Sequence, residues 1–159
     1  MEPRLINVGI SDLKVGGADV LLRTVLGSCV GVCLYDKYNL IGGLAHMLLA
    51  KGKENESAPE KYVDTAIPLL IKVMTEHGAN PKYLTAKIAG GAQMFAFSHM
   101  PIISEIGTNN IQRAKEVLHD LNIKIIAEDV GGDHGRTIDF FIRDGIVKVK
   151  SLGKPERIL

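Results

Sequence analysis

The sequence predicts an α+β fold built from mostly short strands and two main helices. Short apolar runs bounded by glycine, asparagine or aspartate recur along the chain, and two pairs of them flank tight polar turns. Only two segments carry the apolar spacing of an amphipathic helix. Hairpin-connected strands beside so few helices favour the α+β class over a doubly wound parallel sheet.

Length and composition set the size of the core and exclude one class of partner. With 159 residues and 46% hydrophobic content, residues 1–159 can form a single compact domain. The net charge is +1 and no basic cluster is interleaved with aromatic residues, so nucleic-acid binding is not expected. No long apolar stretch follows residues 1–4, so neither a signal peptide nor a membrane span is expected. We therefore expect a cytoplasmic protein with reduced thiols.

The first third of the chain predicts three strands. Residues 20–26 and 30–35 are apolar, and the polar turn at 36–39 leads into a third strand over residues 40–49. The last two strands form a hairpin, with Cys29 near one end of the first and His46 on the second.

The middle of the chain predicts a charged loop and a helix. Residues 51–58 are expected to be mobile, and residues 57–60 have capping-box spacing with an early proline. The helix should end near His77, before Gly78, with a kink at Pro68.

The second half predicts one more helix among further strands. Residues 83–88 form a strand that ends at Gly90 and Gly91, and residues 124–128 form another. Residues 137–142 and 146–150 flank an Asp-Gly turn, which is a strong hairpin signal. The apolar face of the helix carries Ile111, Ala114, Leu118 and Leu121.

Cys29 and His46 are the strongest candidates for chemistry. Cys29 follows Gly27 and Ser28 at the entrance to an apolar run, where a small-residue turn can expose its sulfur. A thiolate and an imidazole are the minimum for nucleophilic acyl chemistry. From these residues alone, a buried thiol and a core histidine are the more frequent outcome.

A metal site and a disulfide are weaker interpretations of the same residues. Cys29, Cys33 and His46 could ligate a metal, but the chain has no Cys-x-x-Cys pair and only three such ligands cluster. In an extended strand the two cysteines would lie roughly 13 Å apart at about 3.3 Å per residue. That separation is too long for a disulfide, and Cys33 fits a core position.

Two glycine-rich segments and a second histidine offer rival sites. Residues 90–93 and 131–135 lack the phosphate-binding and dinucleotide patterns, so we expect tight turns at positive φ, or alternatively the floor of a cleft. His134 with Asp129 or Asp133 is a rival acid–base pair, although a histidine after two glycines is more often solvated.

Seven blocks of sequence follow one another along nearly the whole chain, at residues 8–15, 26–31, 43–48, 61–66, 86–95, 106–110 and 127–138. In these blocks, and in their order, the chain resembles the CheD family of chemoreceptor glutamine deamidases. The resemblance implies an α/β/β/α sandwich like that of the cytotoxic necrotizing factor toxins. It also implies a Cys–His site that hydrolyses the side-chain amide of receptor glutamines to glutamate without a cofactor or metal.

The resemblance places the nucleophile on Cys29 and the base on His46. Backbone N–H groups around Gly27 and Ser28 would hold the oxyanion or the substrate. We further expect a His46 imidazolium to stabilise the Cys29 thiolate, whereas a core thiol on Cys33 stays protonated.

The family's third site residue is a threonine before the cysteine turn, in a run that is one residue shorter here. Without a gap the position falls on Arg23, and with one deletion it falls on Thr24. The two side chains point to opposite faces of a regular strand, so only one can approach His46. A cation would disfavour an imidazolium, whereas a hydroxyl can accept the ring N–H. We therefore predict that Thr24 faces the site and that Arg23 turns toward solvent or a carboxylate.

The resemblance also implies partners, and two other functions stay open. Substrates would be the cytoplasmic helices of methyl-accepting chemotaxis receptors, and a CheC-like phosphatase would occupy the receptor-docking face; direct membrane insertion is not implied. The first alternative is a non-catalytic adaptor of the same fold. The second is a peptidase or transglutaminase-like enzyme that uses the same pair, which would lack the one-dalton mass gain at glutamine.

Overall fold

The computed structural model describes residues 2–52, 58–94 and 105–159. In these ranges the chain forms ten strands and two α-helices. The strands are β1 (Arg4–Asn7), β2 (Asp12–Gly16), β3 (Val20–Leu26), β4 (Val30–Asp36), β5 (Ile41–Met47), β6 (Thr85–Gly90), β7 (Lys124–Val130), β8 (Arg136–Phe141), β9 (Ile146–Lys150) and β10 (Arg157–Ile158). The helices are α1 (Val63–Glu76) and α2 (Ile106–Asp120), and short 3-10 turns span Pro59–Lys61 and Pro81–Tyr83.

The strands form two mixed sheets of five. The first has the order β1-β3-β8-β9-β10 and the second the order β2-β5-β4-β6-β7. Neighbouring strands are antiparallel except for the parallel pairs β1–β3 and β6–β7. The predicted hairpins β4–β5 and β8–β9 are both present, and the predicted α+β class is confirmed.

The two sheets pack face to face around an apolar core. Leu22 and Phe140 from the first sheet meet Cys33 and Leu44 from the second. The approach is close: a Cβ atom on Gly42 would lie 2.8 Å from the Ile142 side chain. This inter-sheet layer holds the candidate site at one of its ends.

The other face of the second sheet is covered by helices. Val30, Val32 and Leu34 of β4 pack in one core with Ile67 and Leu70 of α1. Since both faces of β4 are buried, its sequence is a continuous apolar run. Helix α2 contacts β4, β6 and β7 of the same sheet. In the described ranges the layers are therefore helix, sheet and sheet, and the second helical layer of the α/β/β/α sandwich is not formed there.

The first helix begins later than its capping-box spacing predicts. Tyr62 is extended, with φ −113° and ψ 139°, and α1 starts at Val63 without a side-chain cap. The reason is a parallel β-bridge between Tyr62 and Leu49, which requires extended backbone. Pro68 lies inside α1, and the helix stops before Gly78, whose φ is +104°. The loop predicted at residues 51–58 lies mostly outside the described residues.

Three strands have no counterpart in the sequence analysis, namely β1, β2 and β10. They span two to five residues, and none of their residues is fully buried. Strand β1 nevertheless matters for the site, because it pairs with β3 and leads into Val8. None of the helices within the described ranges is long and apolar enough to cross a membrane.

Candidate active site

Thr24 and His46 meet between the two sheets. Thr24 lies on β3 of the first sheet and His46 on β5 of the second. Their side chains point into the inter-sheet layer, where Thr24 Oγ1 lies 2.6 Å from His46 Nδ1. Both residues are almost completely buried, at 3% and 2% exposure. The predicted orientation of Thr24 toward His46 is present, whereas its role in catalysis stays a prediction.

A second hydrogen bond fixes which nitrogen of His46 carries the proton. Thr24 Oγ1 also lies 2.6 Å from the Val8 carbonyl oxygen. A carbonyl can only accept, so the hydroxyl proton of Thr24 goes to Val8 and its oxygen accepts the Nδ1–H of His46. In the neutral ring this leaves a lone pair on Nε2, which is the form a general base needs.

Arg23 takes the opposite direction on the same strand. Its Nε lies 2.6 Å from Asp139 Oδ1, and its second terminal nitrogen lies 2.8 Å from Asp139 Oδ2. Asp139 is the direct cross-strand neighbour of Arg23 on β8. Arg23 therefore faces a carboxylate on the outer side of the first sheet, as predicted.

His46 is held neutral by its surroundings. Burial lowers its pKa to about 4, because the imidazolium would lose its hydration. Its Nε2 is buried and makes no hydrogen bond with any described residue. At neutral pH the ring therefore carries an unused acceptor inside the fold.

Cys29 lies at the same end of the β4–β5 hairpin as His46. Gly31 of β4 pairs with His46, and Cys29 precedes Gly31 by two residues. The cysteine is 6% exposed. Burial raises the pKa of its thiol, and its own backbone N–H opposes that shift. The burial of both groups therefore favours a thiol and a neutral imidazole in the free chain over the expected imidazolium–thiolate pair.

The turn that carries Cys29 is hydrogen-bonded to the segment that follows β6. Ala92 N donates to Gly27 O at 2.9 Å, and Gly91 N donates to Cys29 O at 2.8 Å. Gly90 and Gly91 have φ values of +93° and +68°, which confirms the predicted turn at positive φ. A Cβ atom on Gly90 would lie 2.4 Å from Cys29 O, so only glycine permits this contact.

Asn110 of α2 is a polar residue at the site that the sequence analysis did not select. It is 1% exposed, and its Nδ2 donates to Ser28 O and Leu48 O, both at 3.0 Å. A sequence signal existed: Asn110 stands four residues before the buried Ala114, and so on the apolar face of its helix.

The alternative metal site has little geometric support. Cys33 lies in the inter-sheet core at 3% exposure, and burial raises its pKa to about 12. Both cysteines are free, as predicted. In the part of the chain that the structure describes, no group of three or more His, Cys, Asp and Glu side chains is arranged to hold a metal ion.

His134, the histidine of the rival acid–base pair, lies near Asp133 and not near Asp129. His134 Nδ1 lies 3.7 Å from Asp133 Oδ1, whose side chain is largely exposed. Asp129 is taken by two guanidinium groups, at 2.5 Å from Arg136 and 2.6 Å from Arg157. Asp129 therefore supports the 131–135 turn and does not serve His134.

A shallow cavity of about 370 Å³ opens beside the Thr24–His46 pair. Its lining includes both residues, together with Val8, Ile10 and Val25. Ile10 and Val25 are large apolar residues at 63% and 67% exposure. Arg23 also lines the cavity, so two exposed apolar residues and one cation lie next to the buried imidazole.

Comparison with known proteins gives matches along nearly the whole chain. A protein of Caldanaerobacter subterraneus subsp. tengcongensis, named probable chemoreceptor glutamine deamidase CheD, is 45% identical over 156 residues, which cover 96% of each chain. A Clostridium novyi protein of the same name is 46% identical over 151 residues, which cover 93% of each chain.

A solved structure shares the fold. The crystal structure of a Neisseria meningitidis protein of the family DUF152 matches with a TM-score of 0.54 at 12% identity. The match covers 91% of this chain and 71% of that chain. At this identity the likeness concerns the fold alone.

A family model completes the comparison. The model described as CheD chemotactic sensory transduction matches residues 47–151. Its matched span begins directly after His46, so the evidence for the residues before it comes from the two relatives. Taken with those relatives, which extend over more than nine tenths of the sequence, the match shows that this chain belongs to the CheD family.

Proposed function

We propose that this chain is a cysteine-dependent deamidase that converts glutamine side chains of methyl-accepting chemotaxis receptors to glutamate and releases ammonia. The observation that carries the proposal is the Val8–Thr24–His46 hydrogen-bond chain, which leaves the Nε2 lone pair of His46 unused beside the cysteine turn. The names of the relatives supply the substrate class.

The chemistry begins from a neutral pair. His46 Nε2 would take the proton of Cys29 while the sulfur attacks the glutamine amide carbon, so that charge develops only as the bond forms. This order suits a site whose burial disfavours both the thiolate and the imidazolium. Cysteine sulfur is a strong nucleophile once its proton is removed, so Cys29 needs only such a base.

Three further proton transfers complete the cycle. The imidazolium would give its proton to the departing nitrogen, which leaves as ammonia while the amide carbon becomes a thioester. Water would then give a proton to His46 and attack the thioester, which releases glutamate and returns the proton to sulfur. The negative oxygen in both steps would lie against backbone N–H groups of the turn at Gly27, Ser28 and Cys29.

The substrate would approach along the cavity beside β3. Its rim residues Ile10 and Val25 are exposed and apolar, which suits the apolar positions of an amphipathic receptor helix. A CheC-like phosphatase that competes for receptor docking would cover the same face. In this proposal the chain acts in the cytoplasm, where those helices lie.

A non-catalytic adaptor is the second candidate, and one observation favours it. Cys29 is 6% exposed, and no hydrogen bond joins its sulfur to His46 Nε2 in the described residues. An enzyme would require substrate to bring the two groups together, which is common for catalytic contacts in unliganded proteins. An adaptor would bind receptor without consuming glutamine.

Mass spectrometry of a receptor cytoplasmic fragment separates the two candidates. We expect a gain of about one dalton at particular glutamines, together with released ammonia, after incubation with the parent chain. Cys29→Ala should abolish both signals, and Cys33→Ala should retain them, because Cys33 only fills the inter-sheet core. Equal activity in Cys29→Ala and the parent would overturn the mechanism, and receptor binding without any mass change would favour the adaptor.

A further inference from the structure

Three successive carbonyl groups of the cysteine turn are each held by a donor. Those of Gly27 and Cys29 accept from the backbone of Ala92 and Gly91. The middle one, Ser28 O, accepts from the side chain of Asn110 at 3.0 Å. The middle peptide is therefore the only one of the three whose direction depends on a side chain within the described structure.

Holding a carbonyl also orients the N–H group of the next residue. The peptide unit is planar and trans, so the C=O of one residue and the N–H of the next point in opposite directions. No cis peptide bond occurs in the described residues. Asn110, by holding Ser28 O, thus sets the direction of the Cys29 N–H.

The Cys29 N–H acts on its own thiol, whose pKa it lowers. Within the described structure, neither Ser28 N nor Cys29 N donates to a backbone carbonyl. The N–H of a nucleophilic residue is well placed for the oxyanion that forms when its own side chain attacks. A small rotation of the Ser28 peptide would turn this donor away from that position.

Asn110 is held in place by close contacts at the start of α2. A Cβ atom on Gly107 would lie 2.4 Å from Ala92 O and 2.5 Å from Gly91 O. Helix α2 therefore packs directly on the segment that fastens the other two carbonyls, and Gly107 is required for that approach. The donors to the three carbonyls, namely Gly91 N, Ala92 N and Asn110 Nδ2, therefore lie on two segments in direct contact.

The same amide reaches the strand that carries the base. Asn110 Nδ2 also donates to Leu48 O at 3.0 Å, two residues after His46. Both hydrogens of the Nδ2 group are thus used on acceptors that flank Cys29 and His46. Its Oδ1 is buried and accepts no hydrogen bond from any described residue. The Asn110 side chain therefore acts among these residues only as a hydrogen-bond donor.

We infer that Asn110 is a positioning residue that aims the Cys29 N–H at the developing oxyanion. The inference rests on the proposed deamidase function and adds a residue to it. Asn110 itself touches no reacting atom; it acts through the Ser28 and Leu48 carbonyls.

Kinetics of Asn110→Ala and Asn110→Leu test the inference. Both variants remove the donor, and Leu keeps the branched shape and the number of side-chain heavy atoms, so it serves if Ala fails to fold. We expect kcat for receptor deamidation to fall about 10- to 100-fold, less than the loss of an oxyanion donor itself causes. KM should change less than about twofold, because the amide contacts no substrate. Asn109→Ala, an exposed neighbour on the same helix, should match the parent.

Alkylation of Cys29 by iodoacetamide distinguishes positioning from general loosening. This reaction forms no oxyanion, so its rate should change less than about threefold in the Asn110 variants while kcat falls. Unchanged kcat in a folded variant would overturn the inference, as would parallel losses in alkylation and kcat, since these would show a misplaced sulfur. If the parent chain itself releases no ammonia from receptor, the proposed function fails first and the inference with it.

Discussion

Thr24 and His46 belong to different sheets, yet their side chains form a 2.6 Å hydrogen bond at the buried junction between them. The contact couples the placement of the proposed base to the packing of the two sheets. Because the Thr24 hydroxyl donates its hydrogen bond to the Val8 carbonyl, its oxygen can only accept from His46, and this selects the imidazole tautomer.

Thr24→Ala should lower kcat about 10- to 100-fold, roughly 1.4 to 2.7 kcal/mol of transition-state stabilisation. Without the hydroxyl, His46 loses the acceptor that holds its Nδ1–H. Thr24→Ser keeps the oxygen and should retain most of the activity. Steady-state deamidation of a receptor fragment measures both variants, and an unchanged kcat in Thr24→Ala would remove Thr24 from the mechanism.

Cys29 should react with iodoacetamide faster than Cys33, and its rate should keep rising through pH 9. Burial raises the pKa of the Cys29 thiol and holds His46 neutral, so the thiolate forms only as the solution becomes alkaline. Cys33, with a pKa of about 12, should stay unreactive up to a higher pH than Cys29. Mass-mapped rates between pH 6 and 10 provide the measurement. A plateau that begins below pH 7 would instead indicate a preformed thiolate–imidazolium pair.

The free energy of unfolding should fall as the pH drops from 6.5 toward 4, in part because of His46. The folded ring has a pKa of about 4 and stays neutral, whereas the unfolded ring takes up a proton near pH 6.5. More protons bound to the unfolded chain mean lower stability at lower pH. Between pH 7 and 4.5 the contribution lost is roughly 2 to 3 kcal/mol.

His46→Asn is the matched variant for that measurement, since it keeps a donor for Thr24 and removes the titration. Urea unfolding at the two pH values should show a larger stability loss in the parent than in His46→Asn. Equal losses in the two proteins would contradict a buried neutral histidine.

Ile10→Asp should raise KM for receptor deamidation several-fold and leave kcat nearly unchanged. Ile10 is 63% exposed at the rim of the cavity beside His46, so a charge there would oppose an apolar helix face. Ile158→Asp is the control, because Ile158 is 64% exposed on β10, which lies at the opposite edge of the first sheet from β1. Similar KM values for the two variants would show that substrate does not dock at this rim.

The strands with strong apolar runs could be predicted because burial on both faces leaves a continuous signal in the sequence. Strand β4 and its hairpin with β5 are examples. Strand β1 could not be found in this way, because its residues are mostly exposed and it is defined by pairing with β3. Likewise, the extended backbone at Tyr62 depends on a bridge to Leu49, which outweighs the local capping pattern.

The candidate site was predictable only in part. Thr24, Cys29 and His46 follow from short motifs and a family resemblance, and strand geometry separates Thr24 from Arg23. The charge state of the pair was not predictable, since it depends on how completely the fold buries each group. Asn110 was missed because its partner Ser28 is 82 positions away in the chain.

The tautomer of His46 depends on the hydrogen bond between Thr24 and the Val8 carbonyl, and this makes the site sensitive to temperature. Val8 itself is buried in the inter-sheet core, but it follows β1, a mostly exposed four-residue strand at the edge of the first sheet. Edge elements with little buried surface open at a lower free energy than the core. When β1 detaches, the Thr24 hydroxyl loses its acceptor and is free to donate to His46, which would put the ring proton on Nε2. We therefore expect warming to lower the proposed deamidase activity reversibly, while the rest of the first sheet and the whole second sheet are still folded.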